Sequence, residues 1–260
     1  MNEIALETRR MESIMHLIGV TGLQKKSNRI YLALLFLIAV NLSWLVAEAH
    51  GETFVGKAVN ANGIVEYVEY HTVKYENGKV SESQTIYYDG NNKKIGELTS
   101  EYSFGPQFGS YDFRDIRAQY QDGAKVSGDK ILLFRKPSPE DDVEEVYLAK
   151  EKDQIIGQGF HQFIIHNLER ISQGEVIHTR LVLPSRLNQY EFRIRKRKVD
   201  GDTLYIRLEI DNWLLRLFAP HVDVEYDPKN LRLLRYEGIT NLEDTSGKHK
   251  KVTITYSYES

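Results

Sequence analysis

Alternating arginines and aliphatic residues mark positions 190–210 as the most reactive-looking stretch of the chain. Tyr190, Phe192 and Ile194 alternate with Glu191, Arg193, Arg195 and Arg197. Further on, Leu204, Ile206, Leu208 and Ile210 alternate with Tyr205, Arg207 and Glu209. Such a period-two pattern makes two strands, each with an apolar and a charged face. A two-residue Asp200-Gly201 loop would set arginines beside aliphatic residues, whereas a three-residue loop, Asp200-Gly201-Asp202, matches like faces. Arg193 then lies opposite Glu209, and Arg195 opposite Arg207. Like charges directly opposite one another are unfavourable. The Arg195/Arg207 pair therefore calls for a carboxylate from a neighbouring strand or for an anionic ligand such as a lipid phosphate. Arg193, Arg195 and Arg207 are the candidate anion contacts. The competing reading is a solvated face balanced by Glu and Asp.

Other polar residues offer less. Asn167 falls within the apolar face of a helical segment, so its amide either fixes the helix to sheet backbone or lines a ligand pocket. His161 and His166 are five residues apart, on different helix faces, and no His-Glu-x-x-His exists. With His178 they read as ordinary histidines, so no metal site is expected. Gly157-Gln158-Gly159 lacks the third glycine of a dinucleotide loop, because Gln162 stands there. Neither a Gly-x-Ser-x-Gly elbow nor a P-loop is present. No catalytic set and no cofactor are expected; a hydrolase would need His178, Glu175 and Ser185 to converge. Trp213-Leu214-Leu215-Arg216-Leu217-Phe218 reads as an apolar plug at a barrel end, in preference to a lip that touches a membrane or partner.

Most of the chain around these residues reads as strands. Turn signals recur at Asn62-Gly63, Asn77-Gly78, Asp89-Gly90, Asp122-Gly123, Asp200-Gly201, Asp227-Pro228 and Ser246-Gly247. Between them, runs rich in Val, Ile, Thr, Tyr and Phe predict strands near 64–75, 85–88, 94–102, 111–118, 130–134 and 143–149. More follow near 175–183, 190–199, 203–210, 222–226, 231–237 and 251–258. Positions 158–172 break this rhythm. Phe160, Phe163, Ile164, Leu168 and Ile171 recur at helical spacing, and Gly174 stands where a helix likes to stop. One amphipathic helix needs a surface, and the concave face of a curved sheet provides it. The expected fold is mainly β, a curved antiparallel sheet or partly open barrel with that helix inside.

Composition narrows the compartment and the chemistry. The 260 residues contain no cysteine, which excludes disulfides, thiolate metal sites and a lipidated N-terminal Cys. The net charge of −3 gives no pull towards nucleic acid. A basic cluster, Lys25-Lys26-Ser27-Asn28-Arg29, precedes an apolar run at 30–47, which ends in Ala47-Glu48-Ala49. Positive region, apolar region and small-x-small site make a secretory signal. Residues 1–49 are thus expected to direct export, with cleavage after Ala49, Met11 or Met15 being alternative starts. The rival reading is an inner-membrane anchor, since about 18 apolar residues can just span a bilayer. Both readings place residues 50–260, a single domain, outside the cytoplasm, most simply in a periplasm.

Two stretches carry a resemblance. One is Gly159-Phe160-His161-Gln162-Phe163-Ile164 with Leu181-Val182-Leu183-Pro184-Ser185. The other runs from Ala219-Pro220 through Val224-Glu225-Tyr226-Asp227 and Leu233-Leu234-Arg235-Tyr236-Glu237-Gly238 to Val252-Thr253-Ile254-Thr255-Tyr256. In these the chain resembles β-rich bacterial envelope proteins of the domain-of-unknown-function class, and its architecture is similar to lipoprotein-carrier half-barrels. The resemblance implies no activity. The expected function is that of an exported non-enzymatic protein holding an apolar or amphiphilic ligand between the helix and the sheet. The alternatives are an assembly factor that binds another envelope protein by a sheet edge, and a hydrolase. The expected partners are lipid or another envelope protein, with membrane contact only through 30–47.

Overall fold

A computed structural model describes residues 50–217, 219–243 and 249–259. The expected export segment, 1–49, lies outside the described residues, as does Phe218. The first half forms β1 (His50–Val59), β2 (Val65–Glu76), β3 (Lys79–Tyr88), β4 (Lys94–Glu101), β5 (Ser110–Asp115), β6 (Tyr120–Ser127), β7 (Lys130–Lys136) and β8 (Glu144–Ala149). A short strand β9 (Gln154–Ile156) leads into two helices, α1 (Gly159–His166) and α2 (Leu168–Ser172). The second half forms β10 (Ile177–Leu183), β11 (Asn188–Asp200), β12 (Thr203–Ile210), β13 (Val222–Asp227), β14 (Arg232–Glu243) and β15 (His249–Tyr258). No helix among the described residues is long and apolar enough to cross a membrane.

All fifteen strands join one sheet, in the order β8-β7-β6-β5-β4-β3-β2-β1-β15-β14-β13-β12-β11-β10-β9. Every pairing is antiparallel except β9 with β10. The chain meanders outward from β1 to β8, crosses over through the helices, and meanders back until β15 pairs with β1. Local chemistry sets the hairpins. Asn77 and Gly78 both have positive φ, 53° and 72°, the geometry that a two-residue loop between twisted strands needs.

The sheet curls around the helices. Gln158, which leads into α1, hydrogen-bonds Ser83 and Thr85 on β3. Three residues later His161 meets Tyr226 on β13 at 2.9 Å. Those strands stand five places apart, about 24 Å across a flat sheet, whereas three helical residues advance about 4.5 Å. Only a strongly curved sheet brings both walls to one helix turn. The two ends of the sheet also approach face to face. Ala124, Val126, Ile131 and Leu133 of β6 and β7 pack with Ile156 and Val182 of β9 and β10.

The helix under the curve departs from expectation. It is two pieces, broken at Asn167, whose φ of −103° leaves the helical region. Its apolar face is otherwise as the spacing predicts: Ile164, Leu168 and Ile171 pack on Ile177, Ile194, Leu204, Ile206 and Leu208. Gly174 follows with φ 96°, its N–H bonded to the Ile171 carbonyl and that of Glu175 to Arg170, a Schellman stop. Lys196 reaches up from β11 to the Ser172 carbonyl, a cation at the helix C-terminus.

Three strands were hidden in the sequence: β1, β6 and the three-residue β9. β1 follows directly on the signal-like segment. In β6, Asp122-Gly123 reads as a turn yet lies mid-strand. A side chain at Gly123 would meet the Tyr111 carbonyl and the Phe134 ring, so glycine is there for close approach. Asp122 is buried and takes the Tyr120 hydroxyl at 2.8 Å.

Candidate functional site: an arginine cleft on the outer sheet face

The apolar residues of β11–β13 face the helices, so the alternating charged residues share the outer face. Arg193 pairs with Glu209, and Arg195 with Arg207, the register that face-matching predicts. The means differ. The loop is the two-residue Gly201-Asp202, with Asp200 opposite Thr203, and a bulge between Lys196 and Lys198 supplies the missing residue. The extra residue is Arg197, which swings to Asp223 at 3.1 Å.

Two carboxylates organise five arginines. Glu209 Oε1 accepts from Arg193 Nε at 2.8 Å, Arg195 Nε at 2.9 Å and, more distantly, Arg216 Nη1 at 3.5 Å. Asp223 on β13 accepts from Arg207 Nε at 2.7 Å and Nη2 at 2.6 Å. His221 stands 3.5 Å from Asp223, and His178 binds Asp211 at 2.7 Å. Burial pushes the Glu209 and Asp223 carboxyls up, but the guanidiniums outweigh it and both end below the usual carboxylate range. The neighbouring-strand carboxylate that the Arg195/Arg207 pair requires is thus Asp223.

The face keeps donor capacity. Arg195 gives only its Nε to Glu209, and among the described residues its two Nη groups meet no acceptor. Arg193, Arg195, Arg207, Arg216, Glu209 and Trp213 line an open cleft of about 780 Å³. The volume falls in the range of ligand sites, but the cleft is open to solvent over much of its extent and would cover only part of a ligand. Arg216, Asp223 and His221 were missed in the sequence, because Arg216 sits in an apolar run and Asp223 on a strand two places away.

The other candidates do not converge there. Asn167 lies on the inner side of the sheet. Its amide donates to the Phe163 carbonyl at 2.9 Å and accepts from Arg170 at 2.7 Å, bonds that secure the helix joint. It neither lines a pocket nor bonds the sheet. The space between helix and sheet is filled by the aliphatic cluster, so a ligand held there is corrected by the packing. The three hydrolase candidates stay apart. Glu175 pairs with Arg170, His178 with Asp211, and Ser185 lies in a turn beyond the far end of β10, whose five residue steps from His178 to Leu183 span about 17 Å. Of the segment expected as a plug, Trp213, Leu214 and Leu215 are exposed instead, Trp213 at 72 %.

One inner constellation has the order of a nucleophile relay: Thr85 Oγ1 to His71 Nδ1, and His71 Nε2 to Glu69, each 2.9 Å. Thr85 is fully buried, and its hydroxyl already accepts from Gln158. The arrangement ties the helix entry to β2 and β3. Beside it, burial and then His71 push His161 down to about 4. Among the described residues no cluster suits a metal ion.

No family model matches the sequence, and no curated protein matches it. Among solved structures, the chain is similar to a β-barrel-like protein of the domain of unknown function DUF1849 from Brucella abortus. That match has 8 % identity and a TM-score of 0.46, covering 81 % of this chain and 95 % of the other. A DUF1329 family protein from Desulfovibrio piger matches at 12 % identity and TM-score 0.23, covering 84 % and 88 %. These neighbours are β-rich proteins of families without an assigned activity, and at such scores the likeness carries no argument about the site.

Proposed function

We propose that this chain is an exported, non-enzymatic binding protein whose ligand is an amphiphile with an anionic group, held in the arginine cleft. The observation that carries the reading is the imbalance at Glu209. Three guanidiniums share one carboxylate oxygen, and the Nη groups of Arg195 remain without a protein acceptor among the described residues. A phosphate or carboxylate supplies the missing oxygens in the bidentate geometry that guanidinium favours. Trp213, Ala219 and Pro220 give the same cleft an apolar wall. Export directed by residues 1–49, as their basic and apolar regions lead one to expect, would put the domain in the envelope, where such amphiphiles are abundant.

Native mass spectrometry of the protein purified from bacterial envelopes tests this. The expected spectrum carries an adduct with the mass of a phosphate-bearing amphiphile, lost in the Arg195→Ala/Arg207→Ala variant. Adduct-free spectra of the unaltered protein would overturn it. Docking of another protein at the sheet edge has a free strand, β8, but exposed Glu144 and Glu145 there are the device by which sheets block such pairing.

A further inference from the structure

The lip beside the cleft carries a second argument. Trp213, Leu214 and Leu215 are consecutive and exposed at 72 %, 51 % and 55 %. They stand on a built turn. Asn212 Oδ1 accepts the N–H groups of Leu214 and Leu215 at 3.0 and 3.1 Å, and its carbonyl accepts that of Arg216 at 3.1 Å. Arg216 turns back to Glu209 and the Asp211 carbonyl, fastening the base of the lip to the charged face. A fixed turn therefore holds three large apolar side chains away from the domain.

The surroundings say what would cover them. Arg193, Arg195, Arg197, Arg207 and Arg216 cluster around Glu209, Asp211 and Asp223, with Glu191 and Glu237 at the margins of the group, so guanidiniums outnumber carboxylates in the cluster next to the lip. The chain as a whole is net negative at −3. An apolar tip with a tryptophan, rimmed by guanidiniums, matches the boundary between headgroups and acyl chains of an anionic bilayer. A purely apolar protein pocket would leave the arginine rim without counter-charge.

We propose that the turn at 212–216 docks the domain on an anionic phospholipid surface, with Trp213, Leu214 and Leu215 at the headgroup–acyl boundary and Arg195 and Arg216 against phosphates. The proposal rests on the cleft reading for its charge and on the exposed tip for the remainder. It places the mouth of the cleft at the leaflet from which an amphiphile would be drawn.

The test uses the full chain with Trp44→Phe, which leaves Trp213 as its one tryptophan. Vesicles of phosphatidylglycerol or of phosphatidylcholine, each with brominated acyl chains, report insertion of that indole directly, whatever residues 30–47 do. The expected result is quenching and a blue shift on phosphatidylglycerol, at least fivefold weaker on phosphatidylcholine and reduced by salt. Leu214→Ser/Leu215→Ser is expected to weaken it about tenfold. Unquenched Trp213 on phosphatidylglycerol, or equal quenching on both lipids, would overturn the docking. Monomeric amphiphile binding without quenching would sink the docking and keep the cleft. Quenching without monomer binding would do the reverse.

Discussion

Arg195 and Arg207 face each other across β11 and β12, and each turns to a different carboxylate, Arg195 to Glu209 and Arg207 to Asp223. The like-charge pair is therefore tolerated by partners on either side of it. Glu209 is the more heavily used of the two and the more buried, its side chain 7 % exposed. Removing it strands three guanidiniums around a void. Glu209→Ala is expected to cost about 3 kcal/mol. Arg195→Ala leaves Glu209 with Arg193 and should stay within about 1 kcal/mol of the parent. Denaturant unfolding of the two variants checks the ranking, and equal losses would show that Glu209 is no hub.

Gln158 makes a test of the curled architecture. Its two amide ends join Ser83 and Thr85, which lie on the wall opposite His161 and Tyr226. Gln158→Ala leaves buried hydroxyls short of partners and should destabilise by about 2 kcal/mol. Amide exchange should quicken in α1 before it quickens in β11–β13. Uniform exchange across the domain would contradict a tie of this kind.

The face-matching register of β11 and β12 was legible because the alternation of Arg193, Arg195 and Arg207 with Ile194 and Ile206 leaves one solution. The device that achieves it, a bulge at Arg197, was not, since a bulge leaves no composition signal. Curvature was legible from the single amphipathic helix at 158–172, but its break at Asn167 depends on side-chain bonds to Phe163 and Arg170 that periodicity does not encode. The lip at 213–215 was misread as a plug because apolarity alone does not say which side of a sheet a segment ends on. Asp223 joined the site only through strand order, a long-range property, and Arg216 through the turn after β12, which folds it back to Glu209. Asp122-Gly123 shows the limit of turn statistics, for there the glycine serves packing.

Gly123 accordingly should not tolerate a side chain. Gly123→Ala would press a methyl on the Tyr111 carbonyl and the Phe134 ring and should cost about 3 kcal/mol. Gly90→Ala, where nothing stands within 4 Å, is the control. Thermal unfolding of both variants reads the difference, and a neutral Gly123→Ala would refute close approach as the reason for this glycine.

Two buried groups give opposite pH slopes. Burial first, then His71, holds His161 down at about 4, below the usual 6.5, so its stabilisation is present above pH 6.5 and declines as pH falls towards 4. Burial raises Asp122 to about 6 from 3.8, so its contribution is full below pH 3.8 and is lost as pH rises through 6. Between pH 7 and 5 each changes stability by roughly 1–2 kcal/mol, in opposite senses. The parent should be nearly flat over that window in this respect. His161→Phe should gain stability on acidification relative to the parent, and Asp122→Asn should lose it. Parallel curves for all three proteins would contradict the assignment.

An arginine cleft that binds the anionic group of an amphiphile should take up a soluble one. Calorimetric titration of the full chain with dodecyl phosphate below its micellar concentration, with dodecyl maltoside as the uncharged control, tests it most directly. The expected result is saturable one-to-one binding of the phosphate alone, weakened at least tenfold in Arg195→Ala/Arg207→Ala. Absence of binding, equal binding of the maltoside, or full affinity in the double variant would contradict it.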